Sequence, residues 1–248
     1  MLASHSISPA TRAPAYAITL LGGFAVAADG KALEPPGGRP STLIKLLALA
    51  GRPLRPEETI EALWPDTDEA TGRSRLRNLL NRLRASCGDL VRREDEALVL
   101  AAEAEVDAHS FEQAVASVST APAEARPGLA RTALARYAGE LLPADRYEPW
   151  ATAHRERLHR RHLELLDLLA DDAVERGDVD EAIRLLDRAQ GVEPLDESRY
   201  LRAAELMLFQ GRRGSAQTLV ERAAAVREQL GLGDSERLTR LRAAIGAG

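Results

Sequence analysis

A single cysteine, Cys87, leaves this chain of 248 residues unable to close an internal disulfide, so nothing in it calls for an oxidising compartment. Aromatic residues are nearly as scarce, at 4%, and the helix-forming residues Ala, Leu, Arg and Glu dominate in their place. No stretch approaches the roughly 18 consecutive apolar residues of a membrane-crossing helix. The first 14 residues, MLASHSISPATRAP, have neither the apolar centre of a secretion signal nor a basic amphipathic pattern, and they read as a loose tail. A cytoplasmic protein is expected. Also missing are a glycine-rich phosphate cradle and any nucleophile spaced with an orienting base, so the chain is expected to be no enzyme and to need no cofactor.

Negative charge, by contrast, is in modest excess, with a net charge of −5. That sum argues against a nucleic-acid partner until its distribution is read. Between residues 71 and 93 stand seven arginines (73, 75, 77, 82, 84, 92 and 93) against Asp89 alone, so the acids lie elsewhere. A basic patch on an acidic body can still hold a phosphate backbone.

The patch centres on residues 68–88, DEATGRSRLRNLLNRLRASCG, which read as one helix with two faces. Leu76, Leu80, Leu83 and Cys87 recur at helical spacing, and Leu79 widens the stripe, so this side belongs in a core. Asp66 and Glu69 are spaced as a capping box, and Gly88 is expected to supply a left-handed stop. Arg73, Arg77, Asn81 and Arg84 fall on a second face, flanked by Arg75, Asn78 and Arg82. Such faces are commonly just solvated. Their chemistry nevertheless suits the DNA major groove, because guanidinium forks match the O6/N7 edge of guanine and the Asn amide matches the N6/N7 edge of adenine.

The neighbours of this helix supply its context. Tyr16, Ile18 and Leu20 alternate, as do Phe24, Val26 and Ala28, and Asp29-Gly30 turns the chain into Lys31, Ala32 and Leu33, which predicts a small antiparallel sheet. A helix over about 40–50 comes next, with Leu43, Leu46, Leu47 and Ala50 on one face and Gly51 at its end. The second helix begins near Pro56, buries Ile60, Leu63 and Trp64, and stops at Pro65. After the arginine helix, Leu90–Arg93 and Ala97–Leu100 predict a hairpin around Glu94, Asp95 and Glu96, with Arg92 and Arg93 available for wing contacts. Strands, three helices and a hairpin make a winged helix, whose third helix enters the major groove. The leading sheet resembles that of response-regulator winged helices.

After Val106 and Asp107 the pattern is helical throughout. Phe111, Val115 and Val118 mark one helix and Ala133, Leu134 and Tyr137 another, and a long helix over about 147–176 turns Leu158, Leu165, Leu166, Leu169 and Ala173 inward. Gly177, Ala182, Leu185, Leu186 and Ala189 then recur as Gly211, Ala216, Leu219, Val220 and Ala223, every offset being 34 residues. That is the tetratricopeptide period. The expected fold is therefore mostly α with a small β component: a tail (1–14), a winged helix (15–103) and a tetratricopeptide-like domain (104–248).

Together with VDAHSFEQAV and GELLPADRYEPW, this arrangement resembles the Streptomyces antibiotic regulatory protein family, with its bacterial transcriptional activation domain, over nearly all of residues 16–246. The resemblance implies a regulator of antibiotic biosynthesis that activates transcription. It would bind promoter direct repeats in double-stranded DNA as a homodimer or larger assembly and contact the RNA polymerase holoenzyme. On this reading Arg73, Arg75, Arg77, Asn78, Asn81, Arg82 and Arg84, with Arg92 and Arg93, form the DNA interface.

The alternative is a non-enzymatic adaptor that holds a peptide in its repeat groove, favoured by Leu79 and the acidic hairpin tip. His159 and His162 lie one turn apart, but adjacent arginines repel cations and no carboxylate or thiol completes a set, so an exposed helix face is expected there rather than a metal site. Tyr147 and Trp150 are expected to pack between repeats, and Asp171, Asp172, Asp178 and Asp180 to be solvated.

Overall fold

The computed structural model describes residues 16–247; the tail expected over 1–14 lies outside them. The chain forms two compact units, each built from two separate segments. One gathers the described residues up to Phe111 with Ala138–Glu156; the other joins Glu112–Tyr137 to the described residues from Arg157 onward.

The first unit opens with strands β1 (Tyr16–Thr19), β2 (Ala25–Ala28) and β3 (Lys31–Leu33), then helices α1 (Arg39–Ala50), α2 (Pro56–Leu63) and α3 (Glu69–Cys87). Strands β4 (Val91–Glu94) and β5 (Ala97–Leu100) make the hairpin, and β6 (Ala104–Val106) closes the series. The Asp29-Gly30 turn has φ of 46° and 75°, the left-handed pair that a two-residue hairpin requires. The sheet is not purely antiparallel as expected. Its order is β3-β2-β1-β6, and β6 runs parallel to β1 with Ile18 opposite Val106. A boundary after residue 103 would therefore sever a strand from the sheet. Three residues of β6 are too few for a periodic signal, which is why the sequence does not reveal it.

Helix α1 is buried nearly all round, with Leu43, Ile44, Leu46, Leu47, Ala48 and Leu49 all in the core, so the single face read from spacing understates its central place. Its end is as expected: Gly51 has φ 61° and donates its N–H to Leu47. Trp64 only half enters the core, because α2 stops at Leu63 and Trp64 forms its cap. The motif GELLPADRYEPW belongs to this unit. Leu21 and Leu141 form an antiparallel bridge, Gly22 donates to the Glu140 carbonyl at 2.8 Å, and Leu142 donates to the Leu20 carbonyl at 2.9 Å. A Cβ on Gly139 would lie 2.9 Å from the Cα of Gly22, so glycine is needed for that approach. Lys45 reaches Asp145 at 2.6 Å in a largely buried pair, and Arg155 donates to the carbonyls of Leu141, Asp145 and Arg146. Tyr147 is 93% exposed and does not pack, whereas Trp150 is half-buried and donates its indole N–H to Glu148.

The second unit contains α5 (Arg126–Ala135), α7 (Val179–Val192), α8 (Glu197–Phe209), α9 (Arg213–Gln229) and α10 (Glu236–Gly246). Two further helices, α4 (Asp107–Thr120) and α6 (Pro149–Glu175), begin in the first unit's segments and end in the second's. The repeat of 34 residues is visible in the packing. Ala182 and Ala216, Leu186 and Val220, and Ala189 and Ala223 occupy matching buried positions, while Gly177 and Gly211 turn at φ of 76° and 73°. Two expectations need correction here. His162 is buried rather than on an exposed face and stacks on Tyr137, ring centroids 4.1 Å apart, because its position on α6 shares the side of Leu158, Leu165 and Leu169. The acids are engaged rather than merely solvated: Asp171 pairs with Arg202, Asp172 with Arg131 and Arg176, and Asp178 caps α7.

Candidate nucleic-acid interface

Helix α3 begins later than the sequence suggests. Asp68, not Asp66, is its cap and accepts the Thr71 N–H at 3.0 Å; that bond, with the Thr71 hydroxyl, holds the Asp68 carboxyl below its usual range. At its far end Gly88 has φ 59° but ψ −135°, a conformation open to glycine though not the left-handed helical one expected. The core side comprises Leu76, Leu79, Leu83, Cys87 and also Gly72, with Leu80 only partly covered at the margin. Leu79 therefore lies inside the domain, and its support for an adaptor falls away. In the sequence Gly72 stands out only as a glycine early in the helix. A Cβ there would meet the Ile60 Cγ2 at 2.5 Å, so the glycine is what lets α2 and α3 cross closely.

All seven expected polar positions of α3 are exposed. At about 100° per residue the exposed arc carries Ser74, Asn78, Asn81 and Ala85 along its middle. Arg73, Arg77 and Arg84 line one edge, and Arg75 and Arg82 the other. Arg73 and Arg77 face the hairpin across a groove of about 530 Å³, whose lining includes Leu80, Arg93, Glu96 and Leu98.

Several of these cations already have partners. Arg73 bonds Glu57 at 3.0 Å and Glu69 at 2.7 Å, and Arg84 lies 3.3 Å from Asp89. Arg75 donates to the Thr67 hydroxyl at 2.9 Å. Glu57 is held below the usual carboxylate range by its own backbone N–H first and by Arg73 next. Arg92 reaches Glu103 at 3.4 Å, and Arg93 is paired with Glu96. Among the described residues, Arg77 and Arg82 make no ion pair. The paired partners are all exposed, so water and salt already weaken those bonds and a phosphate can replace them.

The hairpin is locked to the helices. Leu54, between α1 and α2, exchanges backbone hydrogen bonds with Leu98 of β5 at 2.9 and 2.7 Å. Its tip is a two-residue turn at Asp95 and Glu96, with φ of 45° and 65°. Neither residue is glycine, so the tip carries both strain and charge.

A sheet-led winged helix with a cationic third helix, followed by helical repeats, defines a class of transcriptional regulators in architecture. The model of the family described as "Bacterial transcriptional activator domain" matches residues 106–246, and the chain belongs to that family, as the sequence resemblance implied. The chain is also similar to Mycobacterium tuberculosis EmbR, whose structure was solved in complex with a low-affinity phosphopeptide. The TM-score is 0.72 at 16% identity, covering 94% of this chain and 65% of that one, so the fold is shared while this chain spans just under two thirds of the other. No curated protein sequence matches it. Among the described residues no helix is long and apolar enough to cross a membrane.

Proposed function

We propose that this protein is a sequence-specific, DNA-binding transcriptional activator acting in the cytoplasm, with α3 seated in the major groove of promoter direct repeats. The supporting observation is the arc of α3. Short amides and small residues run along its middle, where base edges would come closest, and guanidinium groups run along both edges, where the two phosphate backbones would pass. Asn78 and Asn81 read bases, with Arg77 beside them. Arg73, Arg75, Arg82 and Arg84 hold phosphates, and Arg92 and Arg93 extend the contacts from the hairpin. The repeat-bearing unit carries dimerisation and contacts to RNA polymerase, and no step of this activity is enzymatic.

Genomic fragments selected for binding to the full chain should share two similar half-sites on one strand, spaced by whole helical turns. On such a fragment Arg77→Ala should weaken an electrophoretic shift by about 1–3 kcal/mol. Arg82→Ala should instead reduce the slope of log K against log salt by about 0.9 and leave sequence preference intact. Retention of full affinity by both variants would remove this face from the interface.

A further inference from the structure

Three of the six large apolar side chains left exposed among the described residues converge on one place at the end of the repeat unit. Leu195, between α7 and α8, is 43% exposed, and Leu230 and Leu232, after α9, are 50% and 51% exposed. They line a groove of about 460 Å³ with Glu193, Asp196, Glu197 and Arg227. Single exposed leucines are ordinary; three converging on a groove mark a contact surface.

The loop bearing two of them is set in place beforehand. Gly231 takes φ 68° and donates to the Glu228 carbonyl at 3.0 Å, while the Leu232 N–H donates to the Arg227 carbonyl at 2.8 Å. This closure usually folds the residue after the glycine back onto its own helix. Here that residue stands half in solvent.

The polar rim indicates what covers it. Asp196 is committed to capping α8 and to Arg199, and Glu193 lies 3.4 Å from His159. Glu197 accepts from Arg227 through Oε1 at 2.5 Å, but its Oε2 is buried and has no hydrogen-bond partner. With one oxygen lacking a donor, the Glu197 charge is only partly compensated by Arg227, which favours a cation at the rim through the field rather than by contact. Even with Arg199, which Asp167 shares, the carboxylates at this rim outnumber the guanidinium groups of Arg199 and Arg227 and leave it a negative balance. A two-fold pairing of this groove with its own copy would set those acids against each other.

From these features we infer that the groove is a docking site for a partner segment, namely an amphipathic helix that anchors with aliphatic side chains and carries Lys or Arg beside them. The surface is distinct from α3, so it stands or falls separately from DNA binding.

The test uses the full chain and two synthetic helical peptides of equal length, one of leucine and lysine at amphipathic spacing, the other with glutamate in place of lysine. Fluorescence anisotropy should register binding of the lysine peptide, and titration of methyl-labelled protein should move the signals of Leu195, Leu230 and Leu232. The double variant Leu230→Ser, Leu232→Ser should lose at least tenfold in affinity, and Glu197→Gln, which leaves the leucines untouched, several-fold. All variants should shift operator DNA as the parent does. Equal binding of the glutamate peptide, undiminished binding by the double variant, or sedimentation showing a dimer that the leucine substitutions dissolve would each overturn the inference.

Discussion

At the scale of single residues, the two least comfortable positions lead to measurable consequences. Burial, and then the charges of Arg188 and His159, push the His162 imidazole down to about 4. The unfolded chain takes up this proton near pH 6.5 and the folded chain only near 4, so the native state loses stability as pH falls through that window and gains nothing above it. The loss should be roughly 2 kcal/mol between pH 7 and pH 5. His162→Leu should flatten that part of the profile, as read from urea midpoints at the two pH values. Glu96 occupies a left-handed position that suits glycine. Glu96→Gly should raise stability by about 0.5–1 kcal/mol, and it should also strengthen DNA binding, because it frees Arg93 and removes an acid from the hairpin tip.

Helices and strands are legible in the sequence to different depths, for physical reasons. Helix α3 can be read because a core stripe and a cationic arc occupy separate angles on one cylinder, and every arginine expected outside is outside. Which arginines pair cannot be read, since Glu57 and Glu103 reach them from other elements. His162 misleads because it stands in a run of charged residues, although its register with Leu158 and Leu165 points inward. Gly72 gives no sign of its role, because a missing side chain matters only when the neighbour is known. Helix propensity alone would make Gly72→Ala a gain of about 1 kcal/mol, but the clash should reverse that sign. It forces Ile60 aside, and a loss of about 1–3 kcal/mol in chemical denaturation is expected. No loss, or a gain, would mean that α2 moves away freely.

At the scale of the molecule, the 34-residue repeat survives translation into structure because the same small residues recur wherever helices meet closely. The division of the chain does not obey composition. Segment Ala138–Glu156 is helix-rich in pattern and acidic in part, yet its bonds to Leu20, Gly22 and Lys45 place it with the winged helix. Nothing in a local window reports a partner more than a hundred residues away. A fragment ending at residue 103 should accordingly unfold at lower urea than one ending at residue 156. It lacks β6, the Lys45–Asp145 pair and the Asp107 carboxylate that accepts the N–H groups of Leu20 and Leu21.

The same interleaving bears on synthesis. While a ribosome extends the chain from residue 111 to 156, the edge at Leu20–Gly22 stays bare, an interval on the order of a few seconds at bacterial elongation speed. During that time the Leu20 carbonyl and the Gly22 N–H, just past the end of β1, lack the partners that Leu142 and Glu140 later supply, and a neighbouring polypeptide could take their place. The late arrival of GELLP is what seals that edge.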